Sequence, residues 1–100
     1  MSWVKEALNG LSEHAVCQVR PRGGSMRGRI EDGQLVTIQK IEGSKVRVDD
    51  VVFVKWKGNY LLHLAKDIKE KQVLIGNNLG KINGWIPLEN VLGKVIQVKD

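Results

Sequence analysis

The stretch Val51-Val52-Phe53-Val54-Lys55-Trp56-Lys57-Gly58-Asn59-Tyr60-Leu61-Leu62-His63-Leu64-Ala65-Lys66 decides the fold class. It contains two apolar runs of strand length, 51–57 and 60–66, separated by Gly58-Asn59, a pair suited to the two-residue turn of a hairpin. With that turn, Lys57 pairs with Tyr60, Trp56 with Leu61 and Val54 with His63. Side chains alternate between the faces of a strand. One face of the hairpin is therefore predicted to carry Val52, Val54, Trp56, Leu61, His63 and Ala65. His63 falls in an otherwise apolar row, one pair from Trp56, which is expected to cover it. Trp56 and Trp85 both read as structural.

Outward from the hairpin, short Val- and Ile-rich segments alternate with turn signals. Gln34–Lys40, Lys45–Val48, Gln72–Ile75 and Leu92–Val98 read as strands. Pro21-Arg22-Gly23-Gly24, Glu42-Gly43-Ser44 and the charged residues 67–71 read as turns, and Gly76–Gly84 as a polar loop rich in Gly and Asn. Pro87–Asn90 suits a single helical turn. Residues 2–11 form the one helical pattern. Trp3, Ala7 and Leu11 recur at spacing four, Ser2 is placed to cap the start and Gly10 to end it. So short a helix must pack on something; core packing is favoured over a membrane-surface role. The expected architecture is mostly β: a compact barrel-like sheet with one short N-terminal helix. It forms a single domain over 1–100, with the helix within 1–14 and the β core over 15–100.

Composition narrows the function. Apolar residues make up 42% of the chain and charged residues 27%, an ordinary globular balance. The net charge is +5, but the lysines are spread from Lys5 to Lys99 without a block, and no aromatics are interleaved with them for stacking. Nucleic acid is therefore not an expected partner. Cys17 is the one cysteine, so no intrachain disulfide forms, which fits a reducing compartment. His14 and Cys17 fall short of a zinc ligand set, and no metal or cofactor is expected. No run is apolar and long enough to span a bilayer, and the N-terminal residues lack the pattern of a signal peptide. The expected location, in a bacterial cell, is the cytoplasm.

Ser25 and His63 carry the candidate chemistry. A nucleophilic serine needs a base within reach, a rigid and exposed perch, and backbone N–H groups aimed at the developing oxyanion. Gly23-Gly24-Ser25 offers backbone that a substrate can approach closely. His63, on a strand among apolar neighbours, is expected to be desolvated, which favours the neutral imidazole a general base requires.

The order of several segments resembles the signal-peptidase and LexA-type serine peptidases. Gly24-Ser25-Met26, followed by Ile30-Glu31-Asp32-Gly33-Gln34-Leu35-Val36, looks like their nucleophile box, with the Gly-Asp order altered. Val48–Val54 looks like a second box, and Tyr60-Leu61-Leu62-His63-Leu64 matches the segment supplying the general base. Bacterial signal peptidases and LexA-like repressors use Lys there. Archaeal and endoplasmic-reticulum signal peptidases use His, as this chain does. Leu74–Asn78 resembles the Gly-Asp-Asn box, and Gly84–Pro87 with Asn90–Val95 the closing segment. The likeness runs from Gly24 to about Val98.

The resemblance implies a catalytic-core fold of that type, with Ser25 as nucleophile, His63 as base, and Gly24 and Met26 at the oxyanion hole or in contact with substrate. Asn77 and Asn83 stand at the possible acid positions. The implied partner is an extended polypeptide bound at a strand edge, cleaved slowly by acyl transfer and carrying a small residue at the cleaved position. The alternative is a catalytically degenerate peptidase fold acting as a peptide- or protein-binding module.

Overall fold

The computed structural model describes residues 2–24 and 26–100. Helix α1 (Trp3–Glu13) is followed by β1 (Val16–Val19), β2 (Leu35–Lys40), a 3-10 turn (Gly43–Lys45), β3 (Val51–Trp56), β4 (Asn59–Lys69), β5 (Gln72–Gly76), β6 (Ile82–Pro87), a second 3-10 turn (Leu88–Asn90) and β7 (Val91–Lys99). The strands form one seven-stranded sheet in the order β1-β2-β7-β3-β4-β5-β6, and every ladder is antiparallel. The mostly β class with an N-terminal helix is therefore present. The expected barrel closure is not, because β1 and β6 end the order without pairing to each other among the described residues.

β3 lies at the centre and explains its own sequence. Val51 and Phe53 point into one core, with Leu62, Leu64, Met26, Ile30 and the buried Ala7 and Leu11 of α1. Val52 and Val54 point into the other, with Ala65, Val73, Ile75 and Ile86. Both faces are covered, so the strand reads as a continuous apolar run rather than an alternating one. Bulges in the β2·β7, β3·β7, β4·β5 and β5·β6 ladders bend the strands.

The hairpin turn is Lys57-Gly58, not Gly58-Asn59. Both residues have positive φ, 47° and 80°, so Gly58 takes the second central position of a type I′ turn, as glycine does in Asn-Gly turns. Trp56 pairs with Asn59, Lys55 with Tyr60, Val54 with Leu61 and Val52 with His63. The slip is two residues along β3, which preserves the faces. It moves His63 away from Trp56, which packs instead against Gly84: a Cβ added there would stand 3.1 Å from the indole ring.

Other expectations are corrected in detail. Ser2 caps α1, its Oγ accepting from the Lys5 N–H at 3.2 Å, but the helix continues through Gly10 to Glu13. Gly10 is needed for packing, since a Cβ would sit 2.6 Å from that of Cys17. Lys45–Val48 is not a strand; Val46 is buried and Val48 exposed. β4 continues through 67–69, and the turn falls at Glu70–Lys71, Glu70 having φ 53°. Within Gly76–Gly84, the loop is confined to Asn77–Lys81, and β6 begins at Ile82. Trp85 is 39% exposed rather than a core residue.

Candidate active site

The loop between β1 and β2 closes on itself. Gly23 has φ 114°, open to glycine, and its N–H donates to the Asp32 carboxylate at 2.9 Å. The Gly33 N–H donates to the Pro21 carbonyl at 3.2 Å and the Arg20 guanidinium to the Gly33 carbonyl at 2.8 Å. The Asp32-Gly33 pair thus ties down the glycine turn. Beyond it, the Gly24 carbonyl accepts from the Arg27 N–H, and the Met26 carbonyl accepts from those of Arg29 and Ile30. Met26 and Ile30 are buried in the first core. Two outside contacts hold the far side: the Arg29–Asp49 ion pair at 2.7 Å, and the Asn78 Nδ2 donating to the Arg27 carbonyl at 2.8 Å. Ser25 itself lies outside the described residues; the segments on both sides of it are anchored.

His63 is 7% exposed on β4, opposite Val52. β5 reaches β4 only as far as Leu64, which pairs with Gly76. The Ala65 N–H donates to Asp50 on the β3 side of the strand. By alternation, the backbone groups of Leu61 and His63 also face β3, while those of Tyr60 and Leu62 face the side that β5 leaves unpaired. His63 Nδ1 lies in hydrogen-bond contact with the Leu62 carbonyl on that side. A carbonyl only accepts, so Nδ1 carries the hydrogen, and the neutral ring keeps Nε2 free as the proton acceptor. Burial holds the imidazole below its ordinary value of 6.5; the Leu62 bond opposes this, and the Lys81 ammonium adds to it.

Trp3, Pro21, Arg22, Gly23, Met26, Ile30, Leu61, Leu62 and His63 line one pocket of about 110 Å³. Residues flanking position 25 and His63 therefore line one cavity, Met26 and Ile30 from the first-core face of the sheet and His63 from the strand position on the Val52 face. Gly24 does not line it, lying in a separate hollow with Arg27, Glu31 and Asp32. A wider hollow of about 720 Å³ beside Lys69–Gln72 and Trp85 is lined by neither serine nor histidine.

Neither possible acid position supplies a carboxylate, and Asn77 is committed elsewhere. Its Oδ1 accepts from the backbone N–H groups of Leu79 and Lys81, building the turn after β5. Asn83 is the extra residue of the β5·β6 bulge, and its buried Oδ1 has no partner among the described residues. The sequence reading missed four participants: Arg22 on the pocket wall, the Leu62 carbonyl, Lys81, and Asn78 on the loop. Only Asn78 had a signal, its place in the Asn77-Asn78 pair.

Comparison with known protein families and with curated proteins gives no match. Among the described residues, no helix is long and apolar enough to cross a membrane.

Proposed function

We propose that the chain is a serine-endopeptidase-like domain of the signal-peptidase and LexA type, acting on an extended polypeptide. The observation that carries this reading is the pocket shared by Gly23, Met26 and His63. Ser25 Oγ attacks the scissile carbonyl carbon while His63 Nε2 takes the hydroxyl proton. The tetrahedral intermediate collapses, the C–N bond breaks, and the proton passes to the departing amine. Water then attacks the acyl-enzyme, His63 again taking a proton, and the acid product leaves with Ser25 restored. The backbone N–H groups around Gly24 and Met26 serve the oxyanion. The edge at Tyr60 and Leu62, which pairs with no strand among the described residues, supports β-augmentation by the substrate, and the pocket's volume suits a small side chain.

A second reading has a specific observation behind it. His63 is oriented by a neutral carbonyl rather than a carboxylate, as expected of a peptidase fold kept as a peptide-binding module. A fluorophosphonate probe separates the two. Labelling of the chain that disappears in Ser25→Ala supports the peptidase; an intact fold that takes no label supports the binding module.

A further inference from the structure

We infer that Arg22 is a specificity-determining residue, selecting an acidic side chain of the bound polypeptide beside the small one seated in the pocket. This rests on the groove between β4 and the β1–β2 loop being a peptide site, whether or not cleavage follows. Arg22 is the one permanently charged side chain lining the pocket; its other walls are apolar side chains, glycine and His63. Of its neighbouring arginines, Arg20 is committed to the Gly33 carbonyl and Arg29 to Asp49, while Arg27 lines the separate hollow beside Gly24 and not this pocket. The acidic groups nearby are committed as well. Asp32 accepts from the Gly23 N–H, Glu31 from the Gly28 N–H, and Asp49 from Arg29. Among the described residues, Arg22 makes no ion pair or side-chain hydrogen bond.

An exposed arginine that lines an apolar pocket and has no partner among the described residues is poised for a charge-assisted, bidentate contact with a carboxylate. Lys81, whose charge bears on His63, adds to the positive potential near the imidazole. In an extended peptide, successive side chains point to opposite sides. A small residue in the pocket therefore places its neighbours' side chains outside it, within reach of the rim.

The test measures binding of fluorescent peptides to the Ser25→Ala chain, which holds a peptide uncut. One Ala-centred scaffold carries Asp, Asn or Lys at each position flanking the Ala. The Asp peptide is expected to bind about tenfold tighter than the Lys peptide at one flanking position, and Arg22→Glu to invert that order. Lys69→Glu makes the same change in net charge at the far end of β4, roughly 20 Å away by strand rise, and should leave the order unchanged. Equal affinity for the three peptides overturns the inference, as does an equal effect of Arg22→Glu and Lys69→Glu, or no binding by any peptide with the fold intact. Fluorophosphonate labelling of the unmodified chain is scored separately, so loss of the peptidase reading is not confused with loss of Arg22's role.

Discussion

Asn78 Nδ2 donates to the Arg27 carbonyl at 2.8 Å, joining two turns that stand 51 residues apart in the chain. Arg27 follows the candidate nucleophile by two positions, and Asn78 lies in the turn after β5. The amide sits directly over Gly28: a Cβ there would stand 2.7 Å from Nδ2, and Gly28 has φ 98°. The far end of the sheet thus fixes the backbone of the loop that carries the candidate nucleophile.

Asn78→Ala is accordingly expected to cost about 1 kcal/mol of stability, the net worth of one hydrogen bond. Its effect on fluorophosphonate labelling of Ser25 should be larger than that loss explains, because the loop loses its clamp. Gly28→Ala should cost more, since it adds both a clash and a strained φ. Urea melts and labelling rates on the same samples decide this; an Asn78→Ala chain labelled at the unmodified rate would show that the clamp does not position the loop.

The turn residues give a second test. Lys57 holds φ 47°, a conformation hostile to β-branched side chains, whereas Asn59 is extended in β4. Lys57→Val should therefore cost roughly 1–3 kcal/mol, and Asn59→Val should be neutral or stabilising. The reverse order in denaturant midpoints would restore the Gly58-Asn59 turn and its register.

That register also shows what was legible in the sequence. The faces of the hairpin were readable because a two-residue slip leaves side-chain alternation intact, so Val52, Val54 and Ala65 share a core as expected. The turn was not, because Gly58 fits either central position until strand geometry selects the second. β6 was hidden for a related reason: Asn83 and Gly84 read as loop, yet Asn83 is a bulge and Gly84 makes room for Trp56. The desolvation of His63 followed from its apolar neighbours. Its link to the Leu62 carbonyl did not, because that depends on where β5 stops, which is a property of the whole sheet.

Burial of His63 makes stability depend on pH, with a sign that can be checked. Its folded value lies below the ordinary 6.5. Between the two values the unfolded chain binds more protons, so stability rises with pH across that interval. Coming down from neutrality, stability should begin to fall near the ordinary imidazole value and level off below the folded one. His63→Gln should flatten this part of the profile, measured as urea midpoints from roughly pH 5 to 8. An identical slope in both chains would assign the effect to other groups.

The last expectation is that acylation is slow and that Lys81 helps to make it so. In the Ser-His-Asp arrangement the acid holds the imidazole's tautomer and stabilises the imidazolium; replacing it by its amide costs roughly ten-thousandfold in turnover. Here the Leu62 carbonyl can fix the tautomer, but it has no charge to offer the imidazolium, and burial together with the Lys81 ammonium opposes that ion. Asn77 uses the backbone of Lys81, not its side chain, to build the turn, so the charge can be reversed without undoing the turn. Lys81→Glu is expected to raise the rate of Ser25 labelling modestly, because the imidazolium is then less opposed, and to move the pH–rate profile to higher pH. His63→Ala and Ser25→Ala should abolish labelling in either background. Labelling of the unmodified chain at the rate of an enzyme with a full triad, unmoved by Lys81→Glu, would mean that another group stabilises the imidazolium.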